Sequence, residues 1–324
     1  MTDHTVVVTG GAGFIGTRVV DRLLRRGTSV RILDNLYRAD HAGLAALAGR
    51  GAQVTLGDVR DRALVSRVMR DADGVIHLAA VCLNKSIADP QESLEVNLIG
   101  SDNVFQEACR AGVRRIVFAS SASVYGDPET LPMHETDLPR PQTPYCIAKL
   151  ASEHLLAFHA QRNDAQWNAL RFFNVYGPGQ QTDAYYTSVI LRFVERLAAG
   201  EAPLIDGSGD QSMDFVHVDD VADATVMALD SDVHGQVFNV GTGHSTTIAE
   251  LARILAAAMG ADVEPEFRPR DVLVSQRAAA VDRARDLLGF EARIDVESGL
   301  RDLVDRVRDA GVATEDVRGE VPVP

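Results

Sequence analysis

Short β-branched apolar runs recur through the first half of the chain, separated by longer stretches whose apolar positions follow helical spacing. Runs at 6–8, 30–33, 54–56, 75–78, 116–119 and 169–172 predict six strands, and 15–26, 94–111 and 147–162 predict helices. In the first helix Val19, Leu23 and Leu24 share one face. Strands of this kind alternating with helices predict βαβ units, with helices covering both faces of a parallel sheet. The fold class expected is α/β, a doubly wound parallel sheet. After about residue 173 the alternation breaks into loops such as Tyr176-Gly177-Pro178-Gly179 and Asp206-Gly207-Ser208-Gly209-Asp210. Helical stretches near 188–199, 219–229, 247–258 and 296–308 predict a smaller cap on the sheet's carboxyl edge.

Composition narrows what such a fold can serve. With 46% hydrophobic and 24% charged residues among 324, the chain has the apolar material for a substantial core. Its net charge, 32 − 46 = −14, argues against general affinity for nucleic acid or anionic membrane. Any anionic ligand must then be held by local cations. Cys82, Cys109 and Cys146 make neither a disulfide framework nor a C-x-x-C pair, so a reducing cytoplasm is the expected compartment. No basic leader precedes residues 6–8, and no apolar run approaches the roughly 18 residues of a span, so neither an export signal nor a membrane segment is expected. His217-Val218-Asp219-Asp220 reads as a strand-to-helix junction with an acidic cap, and no histidine spacing suggests zinc; no metal is expected.

Thr9-Gly10-Gly11-Ala12-Gly13-Phe14-Ile15-Gly16 joins the first strand to the first helix, the context in which a glycine fingerprint binds a dinucleotide. Gly10 or Gly11 can make the tight turn, Gly13 admits a pyrophosphate, and Gly16 allows helix and strand to pack closely. The phosphates would sit at the helix's positive end. Asp34, 24 residues after Gly10, ends the second strand where a carboxylate accepts from adenosine ribose hydroxyls and repels a 2′-phosphate. NAD is thus expected over NADP. Taken singly, the glycines could be a tight turn and Asp34-Asn35 a polar one.

Tyr145-Cys146-Ile147-Ala148-Lys149 puts a phenol and an ammonium on one helix face. A neighbouring cation favours phenolate and suits Tyr145 to act as a base. Alone the pair would read as helix surface. Its position one strand after Ser120-Ser121-Ala122-Ser123-Val124-Tyr125-Gly126 adds a hydroxyl at a strand's carboxyl end, where doubly wound sheets bind ligands.

At this point the chain resembles the extended short-chain dehydrogenase/reductase family, specifically its NAD-dependent nucleotide-sugar epimerases and dehydratases. The resemblance rests on Thr9 to Gly16, Asp34-Asn35, Gly57-Asp58-Val59, His77-Leu78-Ala79-Ala80, Asn97, Ser121 with Val124-Tyr125-Gly126, and Tyr145 with Lys149. It continues through Arg171-Phe172-Phe173-Asn174-Val175-Tyr176-Gly177-Pro178 and Asp214-Phe215-Val216-His217-Val218-Asp219-Asp220. It implies a Rossmann domain for NAD over 1–172, to which 214–240 returns, and an α/β nucleotide-sugar domain over 173–213 and 241–324. Phe14, Ile15 and Phe172 would lie at the cofactor, Asp58 and Val59 at the adenine, and Leu78, Ala79 and Ala80 beneath the cofactor. Asn97 would support the active-site helix. Lys149 would also hold the nicotinamide ribose, Ser121 and Ser123 would meet the sugar, and Asn174 the diphosphate. A homodimer through the helices at 94–111 and 147–162 is implied as well.

Within the family, dehydratases resemble one another in an Asp-Glu pair where this chain has Ala122 and Ser123, and uronate decarboxylases carry Glu at Ser123. The expectation is 4-epimerisation of a UDP-hexose or UDP-N-acetylhexosamine. Uronate epimerisation or decarboxylation, net nucleotide-sugar oxidoreduction or dehydration, and a catalytically silent dinucleotide sensor are the alternatives. No positive charge precedes Arg192 in the segment at 184–190, which favours a neutral sugar. Met213 replaces the arginine that relatives use on the diphosphate, leaving Arg277, then Arg268 and Arg270, as candidate phosphate ligands. Ala279 is expected to line the sugar pocket and to leave room for a 2-substituent.

Overall fold

Val6, Val7 and Val8 have no solvent exposure, as a strand covered on both faces requires. They form the middle of β1 (Thr5–Thr9), followed by α1 (Phe14–Arg25), β2 (Ser29–Asp34), α2 (His41–Gly49), β3 (Gln53–Leu56), α3 (Arg62–Val68) and β4 (Gly74–His77). Next come α4 (Leu83–Ala88), α5 (Pro90–Leu94), a π-helical segment (Glu95–Gly100), α6 (Ser101–Arg110), β5 (Arg115–Ser121), α7 (Pro144–Asn163) and β6 (Gln166–Phe172). The later chain adds β7 (Asn174–Tyr176), α8 (Val189–Ala198), β8 (Leu204–Asp206), β9 (Ser212–Met213), β10 (Phe215–His217), α9 (Val218–Asp230) and β11 (Gln236–Val240). It ends with β12 (Thr246–Thr247), α10 (Ile248–Met259), β13 (Glu266–Arg268) and α11 (Val296–Asp309). This computed structural model describes residues 4–180, 188–269 and 276–309.

Seven parallel strands form one sheet in the order β11-β6-β5-β4-β1-β2-β3. The order reverses at β1, with β2 on one side and β4 on the other, so the switch point of this doubly wound Rossmann sheet lies at the end of β1. Register brings Thr9 beside Leu33 and His77, and Ser121 beside Phe172. Two buried clusters cover the sheet, and a third, with Phe193, Phe215, Leu251 and Leu300, is the core of the smaller part.

Two elements differ from the sequence expectation. β11 is a seventh sheet strand beyond the six read from local alternation, inside the 214–240 segment that the resemblance returns to this domain; it is reached after α9, which packs against α1 and receives Arg22 hydrogen bonds on the Asp219 carbonyl and carboxylate. Its partner β6 lies more than sixty residues earlier, so no local alternation announces it. The expected helix at 94–111 is interrupted by the π-helical turn. There the Asn97 carbonyl accepts from both the Ser101 and Ser152 hydroxyls, and the second bond ties the turn to α7. Among the described residues no helix is long and apolar enough to cross a membrane.

Candidate active site

A cavity of about 500 Å³ opens at the carboxyl ends of the strands around the switch point. The turn after β1 forms its floor, and each glycine there has a separate cause. Gly10 has φ +69°, and a Cβ there would stand 2.7 Å from the Ala79 nitrogen. A Cβ at Gly16 would overlap the Gly10 carbonyl oxygen, so only glycine lets α1 pack this closely. At Gly13 the nearest atom to an added Cβ is 3.4 Å away, and the residue faces the cavity. Phe14, Ile15 and Gly16 complete this wall. Of the two glycines that the sequence left open for the turn, the structure selects Gly10.

Asp34, almost fully buried, accepts from Ala12 N at 3.0 Å and Leu36 N at 2.8 Å, which fixes its carboxylate at the cavity edge. Asn35 and Asp58 follow on the same wall, 3.4 Å apart. Arg60 grips both oxygens of Asp58 and holds its carboxyl below the ordinary range. Val59, Leu78, Ala79 and Ala80 line the cavity beyond. Beneath it, His77 bonds Thr9 Oγ1 at 2.6 Å and Ser101 Oγ at 2.9 Å. Burial, and then the nearby Lys149 ammonium, push the imidazole down to about 3, so it works as a neutral brace.

The reactive residues come from β5 and α7. Thr143 caps α7 through Cys146 N and Pro144 opens its first turn, which sets Tyr145 at the cavity. One turn on, the Lys149 Nζ lies 5.7 Å from the centre of the Tyr145 ring and 4.8 Å from that of Phe118. It donates to the Ala119 carbonyl at 2.7 Å. Burial draws the ammonium down to about 7, against the opposing pull of Glu153. Glu153 is itself held by Arg171 at 3.0 and 2.8 Å and by Ser120. Ser121 and Ser123 share a 2.8 Å hydroxyl contact on the same wall, together with Phe172.

Asn174 and Arg277 also reach the cavity. Asn174 Nδ2 donates to the Asp214 carbonyl at 3.3 Å. Arg277 is depressed by burial, with partial relief from Asp127 and Cys146. Two expected residues lie elsewhere. Asn97 is buried behind the wall, where its side chain accepts from Val81 N and donates to Val81 O, bracing the chain after β4, while its carbonyl accepts from Ser152 of α7, the helix it was expected to support. Ala279 is 2% exposed and packs against Gly241, with its nitrogen on Asp214, so it forms no part of the cavity wall. The reason is the backbone pairing of Met133 with Ala278 and Ala280, which turns this segment inward. Arg268 is on the surface with Asp206, while Arg270 and the segment at 181–187 lie outside the described residues.

Sequence reasoning missed Tyr37, Arg38, Cys82, Lys85, Glu92 and Gln180, all on the wall. Only Lys85 carried a signal, being one of just two lysines in the chain. Among the described residues no group of three His, Cys, Asp or Glu side chains could hold a metal ion.

A glycine turn that only glycine can make, an acidic residue at the end of β2, and a Tyr/Lys pair beside a strand-end hydroxyl define a dinucleotide-dependent enzyme of the Rossmann class. The floor fits the cofactor, since the space a Cβ would take at Gly13 is left open to the cavity. The model of the NAD dependent epimerase/dehydratase family matches residues 6–241, and the chain belongs to that family. NAD is its cofactor. A UDP-glucose 4-epimerase of Mycolicibacterium smegmatis is 38% identical over 310 residues, covering 93% of this chain and 98% of the relative. A Thermotoga maritima UDP-glucose 4-epimerase solved with UDP-glucose superposes with TM-score 0.87 at 34% identity, over 94% of this chain and 99% of that one. The Thermus thermophilus UDP-glucose 4-epimerase complex with NAD gives 0.85 at 34% identity over the same shares.

Proposed function

We propose that the protein interconverts a UDP-hexose and its C4 epimer, with UDP-glucose as the first candidate substrate. The observation that carries this reading is the convergence of Ser121, Tyr145 and Lys149 on one cavity with the Gly10–Gly16 turn. The M. smegmatis and T. maritima relatives support the nucleotide and the sugar.

NAD held on the Gly10–Gly16 turn and by Asp34 would supply the acceptor, and then the donor, of hydride at C4. Tyr145 takes the proton from the 4-hydroxyl as C4 is oxidised and returns it after the keto sugar has turned over, so the residue ends each cycle as it began. The charged form of Lys149 favours the phenolate electrostatically. Ser121, fixed by its contact with Ser123, orients the reacting hydroxyl. Ser123 presents a hydroxyl where dehydration or decarboxylation would require a carboxylate, which supports simple epimerisation. Asn174 and Arg277 bind the diphosphate in this reading, taking over from the arginine replaced by Met213.

The same resemblance supports a homodimer. α7 exposes Ile147 and Phe158, 49% and 52%, eleven residues apart and hence on one face, and Ile99 beside α6 is 55% exposed.

The test is incubation of purified protein, without added reductant, with UDP-glucose, UDP-N-acetylglucosamine and UDP-glucuronate, resolving C4 epimers by NMR. UDP-galactose formed from UDP-glucose is the expected result. Conversion of UDP-glucuronate alone would transfer the reading to uronates, and no epimer from any donor with NAD bound would overturn it.

A further inference from the structure

The chain carries its positive charge almost entirely on arginine, with only two lysines, and both of these line the same cavity. Lys149 belongs to the reactive pair. Lys85 lies on α4, on the chain that follows β4, and is largely shielded from solvent. Its Nζ stands 2.6 Å from Glu92 Oε2 and 4.2 Å from the centre of the Tyr37 ring. Tyr37 belongs to the chain that follows β2. Since β2 and β4 flank β1 in the sheet, this contact joins the two rims of the groove whose floor is the glycine turn.

Both rims are built to hold these side chains in place. On the β2 side, the side chains of Asp34 and Asn35 bond the backbone nitrogens of Leu36 and Tyr37, at 2.8 and 3.1 Å. Leu36 adopts φ +60°, a left-handed conformation that a leucine takes only when its surroundings impose it. That turn delivers the half-exposed Tyr37 ring to Lys85. On the β4 side, Asn97 clamps Val81 in both directions, and Asp89 caps the short helix that carries Glu92. An ammonium between a carboxylate and an aromatic face is favoured by both. Burial alone would lower its pKa, but Glu92 and Tyr37 outweigh burial and raise it, so the charge persists at neutral pH.

We propose that Tyr37, Lys85 and Glu92 form a clasp across the mouth of the cofactor groove, which retains the nicotinamide dinucleotide between the two half-reactions. A cycle that ends with the starting cofactor fails whenever reduced cofactor escapes before the keto sugar is reduced again, so retention is as necessary to epimerisation as the base. This role rests on the NAD-dependent reading of the site, but its test needs no sugar.

NADH dissociation from purified holoenzyme is followed by loss of bound-nicotinamide fluorescence on mixing with excess NAD. Tyr37→Leu and Lys85→Met are each expected to release cofactor about ten-fold faster, as removal of a partly shielded cation–π and ion-pair contact implies. The double variant should release it no faster than the quicker single, because either change opens the clasp. Unfolding temperatures of the apo proteins that match wild type show that the effect lies in retention and not in folding, a check aided by the half-exposed position of Tyr37. Release rates for both single variants within about two-fold of wild type, a difference inside the usual additivity error, would overturn the clasp. An absence of epimerase activity together with ten-fold faster release would instead leave it standing and refute the proposed substrate.

Discussion

The Lys149 ammonium donates a 2.7 Å hydrogen bond to the backbone carbonyl of Ala119, two residues before Ser121. One bond thus joins the helix that carries Tyr145 to the strand that carries Ser121, and it holds an ammonium that is only 2% exposed. Positioning and stability are opposed here, because burying the charge costs folding free energy. Lys149→Met should lower turnover about 10²- to 10⁴-fold and yet raise the unfolding temperature. The sign with pH follows from the depressed pKa of about 7 against 10.5: below 7 the buried lysine is charged and its penalty is complete, while between 7 and 10.5 it is lost as the folded state sheds the proton. The gain over wild type should therefore be larger at pH 6 than at pH 9. Thermal scans at the two values check this, and equal or reversed gains would refute the buried-charge account.

Glu153 and Arg171 make a bidentate pair with each side chain about 5% exposed. Removing one partner strands the other's charge in the core. Glu153→Leu and Arg171→Met should each cost about 3–5 kcal/mol alone, while the two together should recover much of that loss. Urea unfolding of the single and double variants measures the coupling. Additive losses would show that the pair is not a unit.

Asp34 stands at the cavity edge, where its carboxylate is expected to set the choice of cofactor. Asp34→Ser should weaken NAD binding about ten-fold or more, as loss of charge-assisted hydrogen bonds implies, and should narrow the preference for NAD over NADP. Titration calorimetry with both cofactors reads the ratio. An unchanged ratio would mean that discrimination lies in another residue.

The exposed Ile147 and Phe158 face predicts an association that one polar substitution disrupts. Sedimentation should give twice the single-chain mass for the wild type and the single-chain mass for Phe158→Glu, with folding intact by circular dichroism. A monomeric wild type at micromolar concentration would remove the dimer.

Much of the sheet was legible because its strands carry short apolar runs and helices such as α1 an apolar face, both of which are local patterns. β11 was not, since Gln-Val-Phe-Asn-Val becomes a central-layer strand only by pairing with a segment far back in the chain. In the site, the residues that could be read were those attached to a motif with its own chemistry: the glycines, Asp34, Ser121, Tyr145 and Lys149. Ala279 illustrates the opposite case, because a position counted from a motif does not say which way the backbone turns. Arg60 on Asp58, and Lys85 between Tyr37 and Glu92, were invisible for a related reason.

By itself the sequence determined the parallel α/β class, the glycine turn, the acidic end of β2 and the Tyr/Lys spacing, since each depends on residues within one or two elements. Only the tertiary structure decided that Asn97 sits behind the wall between Val81 and α7, that Arg277 reaches the cavity while Ala279 does not, and that the two lysines share one chamber. Those outcomes depend on which distant strands become neighbours, and on the packing between them, which no local pattern encodes.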